Sequence, residues 1–273
     1  SEVAPHPRAR YSGEDGQGIL TMKRADRAYD SVGRTDPYYG VITLDRFLSA
    51  NLDSAALREF FETGEAQVAH ELATIRTHLA ADFKPRRALD FGCGVGRTLI
   101  PLARVADHAV GVDVSDAMMA EAARNCRERG LANVAFVKSD DRLSRLEGTF
   151  DLIHSAIVFQ HIAGRRVELL VRGLLAHLAP GGVGALHFTT WLPLRKRVVH
   201  RLKEVLPPVN IAANIYRGRA WNLGRIEMHC FPLDRVVGLL YEAGIRSLYA
   251  DWAGLYGGPD DDQGAMIYFR RPG

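Results

Sequence analysis

Residues 89–97 read LDFGCGVGR. A short apolar run carries an acid, Asp90, and then three glycines, Gly92, Gly94 and Gly96, alternate with other residues. The dinucleotide fingerprint is GxGxxG, with backbone amides and a helix N-terminus facing a pyrophosphate. Here the spacing is GxGxG, and Arg97 stands where the third dinucleotide glycine would fall. A carboxylate at Asp90 repels a pyrophosphate and attracts a ligand bearing an ammonium or sulfonium. The order D-x-G-x-G-x-G therefore suits a cationic cofactor better than a dinucleotide.

Outward from this loop, strands and helices alternate. RALDFG is a first strand and GRTLIPLARVA a helix; HAVGVDV is a second strand, followed by the helix SDAMMAEAARNCRERG. VAFVKSD, FDLIHSAIVF and GVGALHFTT read as three more strands, the last entered by the turn LAPGG. Short apolar strands separated by amphipathic helices predict a parallel sheet with helices on both faces. Asp113 closes the second strand, where an acid can accept hydrogen bonds from both hydroxyls of a ribose. Asp140 ends the third and can accept from an adenine amino group. All these strand ends open onto one crevice.

The flanks are less regular. Residues 1–20 are polar and rich in Gly and Pro, which predicts a mobile arm. In residues 53–79, Leu57, Phe60, Phe61, Val68, Leu72, Ile75 and Leu79 recur at helical spacing, with Ser54 as cap and Gly64 as a bend or break. After Thr190 the rhythm fails until the helix LDRVVGLLYEAG and the last strands IRSLYADW and AMIYFRR. The organisation expected is an arm (1–20), a helical cap (21–84), a nucleotide-binding core (85–190), a cap insertion (191–230) and a completion of the sheet (231–273).

Of the 273 residues 47% are hydrophobic and 25% charged, enough to bury a sizeable core, and the net charge of +3 implies no general affinity for nucleic acid. Three scattered cysteines make neither a disulfide framework nor a metal pair, and no apolar run is long enough for a membrane span or signal peptide. A soluble cytoplasmic protein is expected, with no membrane partner and no metal.

These motifs resemble the class I S-adenosylmethionine-dependent methyltransferases. The match covers residues 87–190, where ALDFGCGVGRT, VGVDVSDAMM, VAFVKSDD, FDLIHSAIVFQHI and LLAHLAPGGVGALHF follow that family's order. The resemblance implies a Rossmann-like, seven-stranded, mostly parallel sheet with an antiparallel last strand. It implies S-adenosyl-L-methionine as cofactor and S-adenosyl-L-homocysteine as product. Gly92, Gly94 and Gly96 would line the methionine part, Asp113 the ribose, and Asp140 with Asp141 the adenine; Asp90, Val114, Ser155 and Gln160 complete the cofactor set. The expected reaction is an in-line methyl transfer to a small organic acceptor, a secondary metabolite or sugar hydroxyl. An RNA methyltransferase, a silent binding module and an NAD-dependent dehydrogenase are the alternatives.

Further candidates have a functional and a plain reading. His161, in FQHI, can serve as general base or simply close the site, with His187 a weaker base and His154 a structural residue. Tyr38 and Tyr39, in DPYYG, can face a sulfonium or anchor the cap. Trp191, Tyr216 and Trp221 can line an acceptor pocket or pack the insertion. The basic helix at 194–206 and the acidic loop at 257–264 read as solvated surface, and Cys93 as a small buried residue. If the caps form a lid, deleting residues 1–44 should harm turnover far more than stability.

Overall fold

The computed structural model describes residues 26–195, 198, 216, 228–252 and 263–273. The expected arm, Trp221, most of the cap insertion with its basic helix, and the acidic loop apart from Gln263 and Gly264 lie outside the described residues. A helical stretch, α1 (residues 26–35), leads into α2 (Pro37–Val41), a 3-10 turn and the long α3 (Ser54–His78). The sheet follows: β1 (Arg87–Phe91), α4 (Leu99–Val105), β2 (His108–Asp113), α5 (Asp116–Glu128), β3 (Val134–Lys138) and β4 (Phe150–Ser155). Then come α6 (Gly164–Ala176), β5 (Leu178–Trp191), α7 (Leu233–Glu242), β6 (Ser247–Asp251) and β7 (Gln263–Arg270).

The seven strands lie in the order β3-β2-β1-β4-β5-β7-β6. Strands β1 to β5 pair in parallel, and β7 runs antiparallel between β5 and β6. The order reverses at β1, so a crevice opens beyond the carboxyl ends of β1, β2 and β4, where the chain diverges to either side. One face of the sheet buries Phe91, Phe159 and Phe188, stacked in series, beneath α6 and α7. The other buries Leu152, Val183 and Tyr268 against Val68, Leu72 and Ile75 of α3.

Three local expectations are corrected. Asp53, not Ser54, caps α3, its side chain accepting from the amides of Ala55 (2.9 Å) and Ala56 (2.7 Å). Gly64 neither bends nor splits the helix, which runs unbroken for 25 residues. The fifth strand begins earlier than its turn-like LAPGG suggests, because Leu178 already pairs with Phe150 before the register shifts. The crossover helix α6, absent from the elements expected, carries a clear buried stripe at Val167, Leu170, Val171 and Leu174.

Gly64 is a point of close approach: a Cβ there would lie 2.1 Å from the carbonyl oxygen of Arg97. Gly→Ala in a helix ordinarily gains up to about 1 kcal/mol. Here the obstacle is main chain, so Gly64→Ala is expected to lower stability by roughly 1–3 kcal/mol. Thermal unfolding checks this, and a raised melting temperature would mean that α3 does not seat on the segment after the glycine loop.

The N-terminal segment is also more than a cover. Val32, Tyr38, Tyr39 and Ile42 are buried with Phe47, Phe60 and Phe61 in one cluster. Deleting residues 1–44 would therefore strip a core and cost stability as well, contrary to the expectation from sequence. Among the described residues no helix is long and apolar enough to cross a membrane.

Candidate active site

The crevice is a cleft open to solvent, lined by the glycine loop, the ends of β2 and β4 and the N-terminal segment. Its floor is the glycine loop. Gly92, Gly94 and Gly96 have φ of 74°, 52° and 90°, a left-handed run that residues with a side chain rarely adopt. The amides of Gly92 (2.7 Å) and Cys93 (3.1 Å) both donate to the carbonyl of Val112, tying the loop to the end of β2.

Asp113 faces this floor. Its Oδ2 accepts from the amide of Gly94 and its Oδ1 from that of Ser115, each at 2.9 Å. Burial raises its pKa, and the backbone N–H groups offset this only in part. Val114 lines the cleft beside it, with Met118 and Ser139. On the opposite side the end of β4 contributes Ala156, Ile157 and Val158. Ile157 has a φ of 55°, an outlier for a β-branched residue and a strain of roughly 1–3 kcal/mol held at the cleft wall.

The remaining wall comes from outside the sheet. Asp26, Tyr29, Gly40 and Val41 of the N-terminal segment line the cleft together with His161, Ile162, Arg166 and Leu170. The Tyr29 and His161 rings are 5.4 Å apart. Arg166 fastens this wall, donating from Nη1 (2.7 Å) and Nη2 (3.0 Å) to the carboxylate of Asp26 and from Nε to Asp141 (2.5 Å). The Ser115 hydroxyl donates to Asp30 (3.1 Å), a second tie from the same segment.

Gly92, Gly94, Asp113, Val114 and His161 thus meet at one cleft, and Gly96 continues the same loop. Other candidates stand elsewhere. Asp90 does not face the cleft: its Oδ1 is 2.7 Å from His154 Nδ1, and its Oδ2 accepts from the hydroxyl of Thr98 (2.8 Å). Asp140 turns back on its own loop, accepting from the amides of Arg142 and Ser144 and from the Ser144 hydroxyl, which holds its pKa below the ordinary value. Ser155 is buried, its hydroxyl donating to Phe91 O (2.9 Å). Gln160 accepts from the Thr189 hydroxyl (2.5 Å), and its carbonyl accepts from the amide of His229 (2.6 Å).

The tyrosines pack the cap on the core. Tyr38 donates to Glu121 (2.6 Å), burial pushing its pKa up to about 12, and Tyr39 is buried beside it. Burial also pushes His187 down to about 4, so it is neutral at pH 7 and stands outside the cleft wall. Trp191 and Tyr216 are exposed. Sequence reasoning missed Asp26, Tyr29 and Arg166, which only the tertiary fold brings to the cleft. Among the described residues no cluster could hold a metal ion.

A doubly wound sheet with an antiparallel β7, a glycine loop after β1 and a carboxylate at the end of β2 defines a nucleotide-binding α/β domain. Residues 88–182 match the model of a family described as a methyltransferase domain. Through this region the chain is similar to the S-adenosylmethionine-dependent methyltransferases. It is 32% identical over 177 residues to the 23S rRNA (uracil(1939)-C(5))-methyltransferase RlmD of Burkholderia pseudomallei, covering 60% of this chain and 34% of that protein. It is 28% identical over 155 residues to the ubiquinone biosynthesis O-methyltransferase of Maricaulis maris, covering 50% of this chain and 59% of that one. The chain thus spans only part of the length of these curated relatives. Magnesium protoporphyrin IX methyltransferase (ChlM) from Synechocystis PCC 6803, solved with bound SAH, shares the fold with a TM-score of 0.60 and 17% identity, over 92% of this chain and 99% of that one.

Proposed function

We propose that this protein transfers a methyl group from S-adenosylmethionine to a small organic acceptor. The observation that carries the reading is the pairing of the left-handed glycine loop with Asp113 at the floor of a single cleft. These residues fit the cofactor: the loop offers no side chain to obstruct it, and Asp113 offers carboxylate lone pairs for ribose hydroxyls. When bound, S-adenosylmethionine supplies a methyl group on a sulfonium whose sulfur is already a good leaving group.

The chain's own residues then align and desolvate. Ala156, Ile157, Val158 and Ile162 give an apolar wall, and the Asp26–Arg166 ion pair holds Tyr29 over it. His161 lines this wall and is the base candidate for an acceptor that must lose a proton; the buried, neutral His187 stands apart from it. Incubating the protein with labelled cofactor and small-molecule extracts, then analysing products by mass spectrometry, is expected to yield a labelled metabolite. Label found only in RNA would overturn the acceptor class.

The similarity to an rRNA methyltransferase supports a second reading, with RNA as acceptor. It requires RNA binding that weakens steeply with salt.

A further inference from the structure

Behind the glycine loop, outside the cleft, four ionisable side chains are buried together. Glu71 on α3 is 3% exposed, Asp90 on β1 1%, His154 on β4 0% and Arg97 2%. They form one connected run. Arg97 Nη2 donates to Gln67 Oε1 (2.6 Å), and Gln67 Nε2 donates to Glu71 Oε1 (2.8 Å). Glu71 Oε2 stands 3.1 Å from His154 Nε2, and His154 Nδ1 is 2.7 Å from Asp90 Oδ1. Asp90 Oδ2 accepts from the Thr98 hydroxyl (2.8 Å).

The charges balance only in one protonation state. Burial pulls the His154 pKa down, but the carboxylates of Glu71 and Asp90 outweigh it and push it up to about 10. With an imidazolium the run holds two cations and two anions; with a neutral ring a buried anion would go uncompensated. Both ends of the run close on the two residues that directly follow Gly96. A device that merely filled space would need no such closure.

We propose that His154 is a positioning residue for cofactor binding, closing an ionic clamp, Arg97–Gln67–Glu71–His154–Asp90–Thr98, that fixes the shoulder of the glycine loop in its receiving conformation. This rests on the reading of the cleft as the S-adenosylmethionine site. None of the six side chains lines the cleft, so the clamp acts through the loop backbone. It also gives Asp90 its task in this chain: holding the loop from behind rather than facing the sulfonium.

The test is calorimetric binding of S-adenosylhomocysteine to the full chain, with Thr98→Val, Thr98→Ser, Glu71→Gln and His154→Gln. Val236→Ala, buried in α7 in the core cluster that holds none of the clamp residues, is the control for lost stability. At a temperature where all are folded, Thr98→Val, Glu71→Gln and His154→Gln are expected to weaken binding about ten-fold and shift the amide resonances of Gly92 and Gly94. Thr98→Ser should restore both, and Val236→Ala should change neither. Clamp variants that bind like the wild type, or whose affinity merely follows their melting temperature as the control's does, would overturn the clamp. If the wild type itself binds no S-adenosylhomocysteine, the cofactor reading falls and the clamp with it.

Discussion

Asp113→Ala is expected to weaken S-adenosylmethionine binding roughly 100-fold or more, since each hydrogen bond to a charged acceptor contributes about 1.5–3 kcal/mol. The substitution removes the acceptor for ribose hydroxyls and releases the amides of Gly94 and Ser115 that now donate to it. Asp113→Asn should lie between, because its amide group offers one acceptor oxygen and turns donors toward a donor. Burial sets the Asp113 pKa above the ordinary carboxylate value. Cofactor affinity should therefore fall on acidification sooner than for an exposed aspartate, and this fall should vanish in Asp113→Asn. Calorimetry across pH reads both effects; an affinity unchanged by Asp113→Ala would remove the ribose assignment.

His154→Ala is expected to lower stability by roughly 3–5 kcal/mol, the range for removing one partner of a buried ion pair. It leaves Glu71 and Asp90 as buried carboxylates with their shared cation gone. For a chain of this length the melting temperature should drop by roughly 6–15 °C. The pH dependence has a definite sign. The folded pKa of about 10 lies above the ordinary 6.5, so the stabilisation is complete below about 6.5 and is lost as pH rises through 10. The stability gap between wild type and His154→Ala should accordingly narrow between those values. A gap constant across that range would mean that the ring is not charged in the folded protein.

What could be read from the sequence was what is local or periodic. The glycine loop, the Asp113 strand end and the alternation of strands with helices are each set by residues close to one another in sequence, and each appears in the fold. Side-chain direction was another matter. Asp90 and Asp113 both sit at strand ends of the same crevice, yet only Asp113 faces it. The difference is made by His154, 64 residues from Asp90, and by Glu71 on another element. Asp140 was diverted by a neighbour with a simple role, the Ser144 hydroxyl and amide of its own turn. Asp26 and Tyr29 carry no motif; they matter because Arg166, far along the chain, draws their segment over the cleft. At the N-terminus of α3, Asp53 outcompeted Ser54 because its carboxylate reaches two amides at once.

On the proposed function, the cleft receives a sulfonium nucleoside rather than a dinucleotide. Titration of the full chain with S-adenosylmethionine and, separately, with NAD tests it most directly. Saturable binding of S-adenosylmethionine, weakened about 100-fold by Asp113→Ala, is expected, with no measurable heat from NAD; saturable NAD binding without any response to S-adenosylmethionine would refute the sulfonium site.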